Sequence, residues 1–178
     1  MKWSILKSDY LIKCKWLTVR KDHVRMPSGV EMNDYYIIES NDWASVIALT
    51  KDNQLILERQ YRHGLGKICI ELPSGSIEER ESPIQAARRE LLEETGYSGG
   101  EWTYFGKYAP NASAMTNYAH TFIARGVTKT NLQKLEDSED IEVFTIPISE
   151  LKNFLTNEQI LEADIAAPLW RFLYEYGR

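Results

Sequence analysis

Three glutamates, Glu90, Glu93 and Glu94, are spaced so that one face of a helix would carry all of their carboxylates. At about 100° per residue they share an arc of about 100°, and an adjacent arc of the same helix is apolar. Like charges at this spacing cost on the order of a few tenths of a kcal/mol per pair unless a cation offsets them. Mg²⁺ prefers oxygen ligands and leaves positions for water and phosphate oxygens. The spacing therefore predicts a divalent-metal site, which Arg89 is placed to brace.

The helix that must present these glutamates has clear boundary signals. Ser82 is a favourable N-cap, Pro83 suits the first helical position, and Gln85 completes a Ser-x-x-Gln capping box. Gly96 is the residue type expected just beyond a helix end, where the backbone becomes left-handed. These signals predict a helix from position 83 to about position 94.

Short runs with β-type patterning lie on both sides of this helix. Strands interleaved with few helices indicate an α+β fold with a mixed sheet, and not a doubly wound parallel sheet. Residues 1–40 are predicted to form a separate antiparallel β segment, whose many large aromatics either pack on the main domain or form a partner surface. The other predicted strands cover residues 43–50, 54–61, 67–72, 101–108, 119–124 and 141–146, and the later helices cover 149–155 and 158–176, with a break or kink at Pro168.

Residues 75–97 match a known motif. Gly75, Glu81 and the run from Arg89 to Tyr97 resemble the Nudix box, G-x5-E-x7-R-E-U-x-E-E-x-G-U, in which U is aliphatic. Every charged and glycine position is met, and Tyr97 at the last aliphatic position concerns packing alone. A chance match at seven specified positions has odds on the order of 10⁻⁸ per start point. The resemblance implies a Nudix hydrolase, with a Nudix-type α/β/α sandwich built from residues 41–178.

Flanking segments narrow the resemblance to one branch of that family. Residues 58–62 and 71–75 look like the strand and loop of the ADP-ribose and nucleoside-diphosphate-sugar pyrophosphatases. Residues 108–113 differ from the sequence that is usual at this place in the branch. Residues 1–40 also resemble the N-terminal β segment of this branch, whose members often exchange it across a dimer. The resemblance implies a nucleotide-sugar substrate and a homodimer, with residues 1–40 in dimerisation or substrate binding.

The resemblance also assigns roles within the motif. It implies that Mg²⁺ is the cofactor, with Mn²⁺ as a possible substitute, and that Arg89 and Glu81 support the site. Glu93 and Glu94 are expected to be catalytic, together with Arg89. The implied metal ligands are the carboxylates of Glu90, Glu93 and Glu94 and the carbonyl of Ser74.

An acidic loop and two arginines complete the expected site. The branch has an acid after the motif that orients or deprotonates the attacking water, and residues 136–142 hold five acidic residues at the matching place. Glu139 is the first candidate for this catalytic role and Asp137 the second. The expected substrate-binding residues are Glu71, Arg59 and Arg62, the arginines as fork-shaped donors to phosphate or ribose. Strict alternation along a strand would direct these two arginines to opposite faces, so only one need contact substrate.

The expected reaction is Mg²⁺-dependent hydrolysis of the pyrophosphate bond of ADP-ribose or a related nucleoside diphosphate sugar, giving a nucleoside monophosphate and a sugar phosphate. One alternative is a nucleoside triphosphate pyrophosphohydrolase, which the long N-terminal β segment disfavours. Another is a nucleotide-sugar sensor that binds without hydrolysis, which the complete set of motif carboxylates disfavours.

Composition excludes several other classes of protein. The chain has 178 residues, with 21 Lys and Arg against 26 Asp and Glu, a net charge of -5 and no basic run, so nucleic-acid binding is not expected. No apolar run is long enough to span a bilayer, and the N-terminus lacks a signal-peptide pattern, so no membrane association is expected. Cys14 and Cys69 have no metal-ligand or redox spacing. A cytoplasmic location is predicted.

Overall fold

The computed structural model describes residues 1–177 and divides them into two compact units. The first unit contains Met1–Asn41 together with Ala109–Tyr118, and the second contains Asp42–Tyr108 and the chain from Ala119 onward. Each unit has its own sheet. No helix in residues 1–177 is long and apolar enough to cross a membrane.

The first unit is built on a three-stranded antiparallel sheet, in which β1 (Ser4–Lys13), β2 (Thr18–Arg25) and β3 (Glu31–Glu39) follow one another in order. The N–H of Ile38 donates to the carbonyl of Ala114 at 2.8 Å, so the second chain segment of this unit lies against β3. β1 is exposed along nearly its whole length, on both faces. The predicted N-terminal antiparallel β segment is confirmed.

The second unit contains an eight-stranded mixed sheet and three helices within the described residues. Its elements in chain order are β4 (Trp43–Thr50), β5 (Gln54–Arg62), β6 (Lys67–Glu71), β7 (Ser74–Ser76), α1 (Pro83–Thr95), β8 (Tyr97–Ser98), β9 (Glu101–Tyr108), β10 (Ala119–Lys129), β11 (Ile141–Pro147), α2 (Ile148–Thr156) and α3 (Ala163–Tyr176). The strand order is β11-β5-β4-β10-β8, with β6 beside β5, β7 beside β4 and β9 beside β10. β4 and β10 run parallel, and the other pairs are antiparallel.

Side-chain alternation along the central strands divides the core into two clusters, one on each face of this sheet. On one face Ile47 and Leu49 of β4 pack with residues of α2 and α3, among them Phe172. On the other face Val46 of β4 packs with residues of α1, among them Leu91. Helices therefore cover both faces of a mixed sheet, which confirms the predicted α+β class and the α/β/α sandwich.

Helix α1 is fixed at both ends by its capping residues. The N–H of Ser82 donates to Oε1 of Gln85 at 2.9 Å, which closes the capping box. Gly96 is left-handed, with φ of 75°, and its N–H donates to the carbonyl of Leu92 at 2.9 Å. A side chain at position 96 would overlap the carbonyl oxygen of Asn131, so this helix end requires glycine.

The last helix differs from its prediction at its start. The helix begins at Ala163 and not near position 158, because Glu158 has a left-handed backbone with φ of 54° that a helix interior does not permit. α3 continues through Pro168, so the predicted alternative of a break is wrong, and the alternative of a kink stays a prediction. Leu169 and Phe172 are fully buried in the core, and this packing outweighs the backbone hydrogen bond that proline cannot make.

Candidate active site

Strand β7 and helix α1 meet at Gly75. A Cβ atom at this position would overlap the carboxylate of Glu90, so glycine permits a contact that other residue types would block. One residue earlier, the N–H of Ser74 donates to Oε2 of Glu94 at 2.8 Å. Both glutamates are buried, at 8% and 6% exposed respectively. The helix thus lies against the strand through two buried carboxylates.

Arg89 joins the helix to the loop that precedes it. Its Nε and Nη2 donate to the two oxygens of Glu81 at 3.0 and 2.9 Å. Its Nη1 donates to Glu90 at 2.7 Å and to Glu93 at 3.3 Å, and Nη2 also reaches the carbonyl of Ser76 at 3.0 Å. The hydrogen bonds with Glu81 raise the pKa of Arg89 and lower the pKa of Glu81, so both groups stay charged. Arg89 therefore holds three of the motif carboxylates in place.

On strand β5, Arg62 forms a two-point ion pair with Glu71 of the neighbouring strand β6. Nε donates to Oε1 at 2.8 Å and Nη2 donates to Oε2 at 2.5 Å. Glu71 is buried, and the hydrogen bonds to it raise the pKa of Arg62. Arg62 lies an even number of positions after Ile56 on β5, so the two side chains are on the same face of the sheet. Ile56 packs in the core cluster that α1 covers. Two candidate substrate-binding residues thus lie paired on the sheet face that α1 covers.

Arg59 lies on the other face of β5. Its guanidinium is 3.9 Å from the ring centre of Phe144, and its Nη1 donates to Glu142 at 3.0 Å. Phe144 packs against the cluster covered by α2 and α3. The structure therefore brings Arg62, and not Arg59, to the face that carries the carboxylates.

Glu58 is a buried carboxylate that the sequence analysis did not identify. It lies opposite Glu71 in the β5–β6 register and is 3% exposed. Burial raises its pKa, and the charges of Glu71, Glu139 and Glu90 raise it further. The available sequence signal was its position, two residues after Ile56 on the inward face of an apolar strand, where a charge is unusual.

The acidic loop of residues 136–142 brings Glu139 to the same region. Its charge raises the pKa of buried carboxylates on both α1 and β5, because it lies close to them. Oε2 of Glu139 accepts a hydrogen bond from the N–H of Glu136 at 2.8 Å. The side chain of Glu139 is half-buried, whereas Asp137 is exposed.

The buried carboxylates on β5 and α1 outnumber the arginines beside them, Arg62 and Arg89. Burial is the main cause of the raised pKa of Glu94, and the charges of Glu58 and Glu90 add to it. Arg62 and Arg89 already pair with other carboxylates. A buried set of oxygen donors with excess negative charge fits a hard divalent cation such as Mg²⁺. Glycine at position 75 keeps the carboxylate of Glu90 free of steric overlap in this set.

The predicted metal ligands differ in their surroundings. Glu90 and Glu94 are buried and converge on the backbone at Ser74 and Gly75. The side chain of Glu93 is 38% exposed and is held by Arg89. Glu90 and Glu94 therefore lie at the buried side of the candidate site, and Glu93 lies at its solvent side.

A mixed sheet between helices, with a glutamate-rich helix docked on a glycine-containing strand, defines a hydrolase of the Nudix fold. The chain belongs to the NUDIX family: residues 41–171 match the family model described as NUDIX domain. Residues 3–38 match a second family model, described as nucleoside diphosphate sugar hydrolase N-terminal domain. The protein is thus a Nudix hydrolase, and its residues 3–38 are similar to the N-terminal domain of nucleoside diphosphate sugar hydrolases.

Several known proteins are similar to this chain over most of its length. The methanol dehydrogenase activator of Bacillus methanolicus is 26% identical over 89% of this chain and 85% of its own length. The ADP-ribose pyrophosphatase of Bacillus subtilis (strain 168) is 23% identical over 90% of this chain and 87% of its own length. A crystal structure of an ADP compounds hydrolase superposes with a TM-score of 0.87 and 23% identity, covering 100% of this chain and 97% of that one. The structural match confirms the fold.

Proposed function

We propose that this enzyme hydrolyses the pyrophosphate bond of ADP-ribose or a related nucleoside diphosphate sugar in a Mg²⁺-dependent reaction, with Mn²⁺ as a substitute. The products are a nucleoside monophosphate and a sugar phosphate. The observation that carries the proposal is the pair of buried carboxylates, Glu90 and Glu94, on the sheet face that also holds Arg62. The match of residues 3–38 to nucleoside diphosphate sugar hydrolases and the likeness to an ADP-ribose pyrophosphatase support this substrate class.

Glu90, Glu94, Glu93 and the carbonyl of Ser74 are the groups that would hold the cation. A divalent cation bound there supplies polarisation of the phosphoryl oxygens and lowers the pKa of a coordinated water. Arg89 keeps two of these carboxylates oriented through its hydrogen bonds of 2.7 and 3.3 Å.

Glu139 orients and deprotonates the attacking water in this proposal. Its half-buried carboxylate lies close to the buried carboxylates of α1, and it can accept the proton that the water loses. The water oxygen forms a new bond to one phosphorus as the bridging P–O bond breaks, and the departing phosphate keeps the electron pair. Asp137, on the same loop but exposed, is the second candidate for this role.

Arg62 is the proposed donor to a substrate phosphate or to the terminal ribose. Glu71 fixes the plane of its guanidinium through two hydrogen bonds, which leaves the remaining N–H groups for the ligand. Glu71 therefore acts through Arg62 in this proposal. The position of Arg59 on the opposite face, paired with Glu142, gives no support for substrate contact.

A homodimer formed through the first unit is part of the proposal. The unit exposes large apolar side chains on β1 and on the turn that follows it, among them Ile5, Leu11 and Trp16. Apolar surface of this kind is typical of an interaction site. Sedimentation velocity at micromolar concentration tests the proposed homodimer, and a monomer at that concentration would contradict it.

The cytoplasmic location stays a prediction.

A substrate panel tests the proposed reaction. The purified protein is assayed with Mg²⁺ against ADP-ribose, GDP-mannose, UDP-glucose, diadenosine polyphosphates and nucleoside triphosphates, with an EDTA-treated sample as control. We expect a nucleoside monophosphate to be released from at least one diphosphate sugar, and no release in EDTA. Cleavage of triphosphates alone would establish the triphosphate alternative, and binding without cleavage would establish the sensor.

A further inference from the structure

Glu58 is a buried charge that lies outside the motif of residues 75–97. On the same face of β5, Ile56 is fully buried in the cluster that α1 covers. Glu58 is itself 3% exposed, and its Oε1 has no hydrogen-bond partner in residues 1–177. An ionised carboxylate in such surroundings is strongly unfavourable without a compensating group.

The charged side chains that face Glu58 do not compensate for it. Arg62 is the cation that acts on it, but the Nε and Nη2 of Arg62 are both bonded to Glu71. The surrounding carboxylates, which oppose its ionisation, are those of Glu71, Glu90, Glu94 and Glu139.

Arg89 does not fill this role either. Its three nitrogens donate to Glu81, Glu90, Glu93 and a backbone carbonyl, and none of them bonds to Glu58 within the part of the chain that the structure describes. Glu58 and Glu94 are therefore both buried on the side of the sheet that α1 covers, and the Oε1 of Glu58 has no bonded cation within the described residues.

We infer that Glu58 is a further carboxylate ligand of the divalent cation, supplied by the sheet, whereas the ligands of the motif come from α1 and β7. The inference rests on the proposed function, because it requires the metal site of Glu90 and Glu94. A carboxylate oxygen in a buried, oxygen-rich cluster is a ligand that Mg²⁺ and Mn²⁺ accept. The bound cation supplies the positive charge that Glu58 lacks.

Mn²⁺ binding to the metal-free protein, measured by isothermal titration calorimetry, tests this ligand role. Glu58→Gln keeps the shape of the side chain and removes its charge, and we expect it to weaken Mn²⁺ affinity by about tenfold or more. The matched control is Glu101→Gln, since Glu101 is exposed at the start of β9. We expect the control to bind as the wild type does. An affinity of Glu58→Gln within about twofold of the wild type would overturn the inference.

Thermal unfolding provides a second measurement, independent of catalysis. Without metal, and at a pH above the raised pKa of about 8 of Glu58, Glu58→Gln removes a buried repulsive charge and is expected to raise the melting temperature by about 2–4 °C. The additional rise caused by saturating Mg²⁺ is expected to be smaller than in the wild type. Glu58→Asp retains the charge on a shorter side chain, so it should weaken Mn²⁺ binding without that gain in metal-free stability. A Mg²⁺-dependent rise equal to that of the wild type in Glu58→Gln would contradict the ligand role.

Glu94→Gln separates failure of this inference from failure of the proposed function. If Glu94→Gln binds Mn²⁺ as tightly as the wild type, the metal site of the proposed function is wrong, and the role of Glu58 is wrong with it. If Glu94→Gln loses affinity and Glu58→Gln does not, only the inference about Glu58 is wrong.

Discussion

The two faces of the main sheet are packed with side chains of different size. On the face covered by α2 and α3, the buried cluster consists of leucine, isoleucine and phenylalanine, with Phe172 and Leu169 fully enclosed. On the face covered by α1, half of the buried cluster is alanine; these alanines are Ala44, Ala48, Ala86, Ala87 and Ala124. The distance between packed elements depends on the side chains at their contact, so small residues let a helix approach more closely.

The two faces of the sheet therefore differ in what they contribute, one mainly to stability and the other to the candidate active site. The large side chains bury the greater apolar area and therefore supply the larger share of the hydrophobic stabilisation. The small side chains bring α1 close to the sheet, where Glu90 and Glu94 contact β7 and lie near Glu58 of β5. Changes on the two faces should therefore have different consequences, which the following four predictions test.

The largest effect is expected on the face covered by α2 and α3. Phe172→Ala should lower the free energy of unfolding by about 3–5 kcal/mol, because it removes a fully buried ring and leaves a cavity. Tyr174→Ala on the same helix, at an 81% exposed position, is the control and should change stability by less than about 0.5 kcal/mol. Urea unfolding measures both. A loss of Mn²⁺ affinity in folded Phe172→Ala would contradict the separation of the two faces.

The next effect concerns activity. Glu94→Gln should lower the rate of pyrophosphate hydrolysis by about 100-fold or more, since it removes a proposed metal ligand while the fold persists. Steady-state kinetics measure the rate, and circular dichroism verifies the fold. Turnover equal to that of the wild type would show that Glu94 is not a metal ligand.

Enlarging a residue under α1 tests the role of the small side chains. Ala87→Leu should lower the free energy of unfolding by about 1–3 kcal/mol and should also weaken Mn²⁺ binding, because the helix must move away from the sheet. Ala166→Leu, at a partly buried position against the other cluster, is the matched control. The control should leave Mn²⁺ affinity unchanged. Equal losses of Mn²⁺ affinity in both variants would show that Mn²⁺ binding does not depend on the close approach of α1 to the sheet.

The last prediction concerns the pH dependence of the metal-free protein, which involves neither a substitution nor a metal. Burial raises the pKa of Glu58, Glu90 and Glu94 in the folded state. The folded state therefore binds protons more tightly than the unfolded chain, so this stability is present at low pH and is lost as pH rises toward the folded pKa values. The loss is at most about 1.4 kcal/mol per pH unit for each group. Melting temperatures from about pH 5 to about pH 8 measure it. A metal-free stability that rises with pH over this range would contradict the raised pKa values.

The parts of the fold that depend on local sequence could be predicted closely. Helix α1 spans Pro83–Thr95, within a residue of its predicted end, because its cap residues and Gly96 act on their immediate neighbours. Strands β4 and β9 have the predicted bounds for the same reason, since turn residues flank them. α3 could not be predicted in this way, because burial of Leu169 and Phe172 against distant strands lets a helix continue through Pro168.

In the candidate site too, the features that depend on distant parts of the chain could not be predicted from the sequence. Sequence spacing places Glu90, Glu93 and Glu94 on one helix, but it does not show which carboxylates are buried or what they face. Whether Arg59 or Arg62 shares their face depends on which side of β5 is covered by α1. Glu58 was missed because its burial follows from its neighbours β6 and α1, and not from its own segment.

Gly75 restricts which changes this site can accept during evolution or engineering. The space that a Cβ atom would take at position 75 is already filled by the carboxylate of Glu90. Replacement by alanine would therefore place a methyl group in the space of the Glu90 carboxylate, which is a proposed metal ligand. Restoring activity in such a variant would require a shorter acid at position 90 or a displaced helix. The glycine and the glutamate are thus expected to change only together.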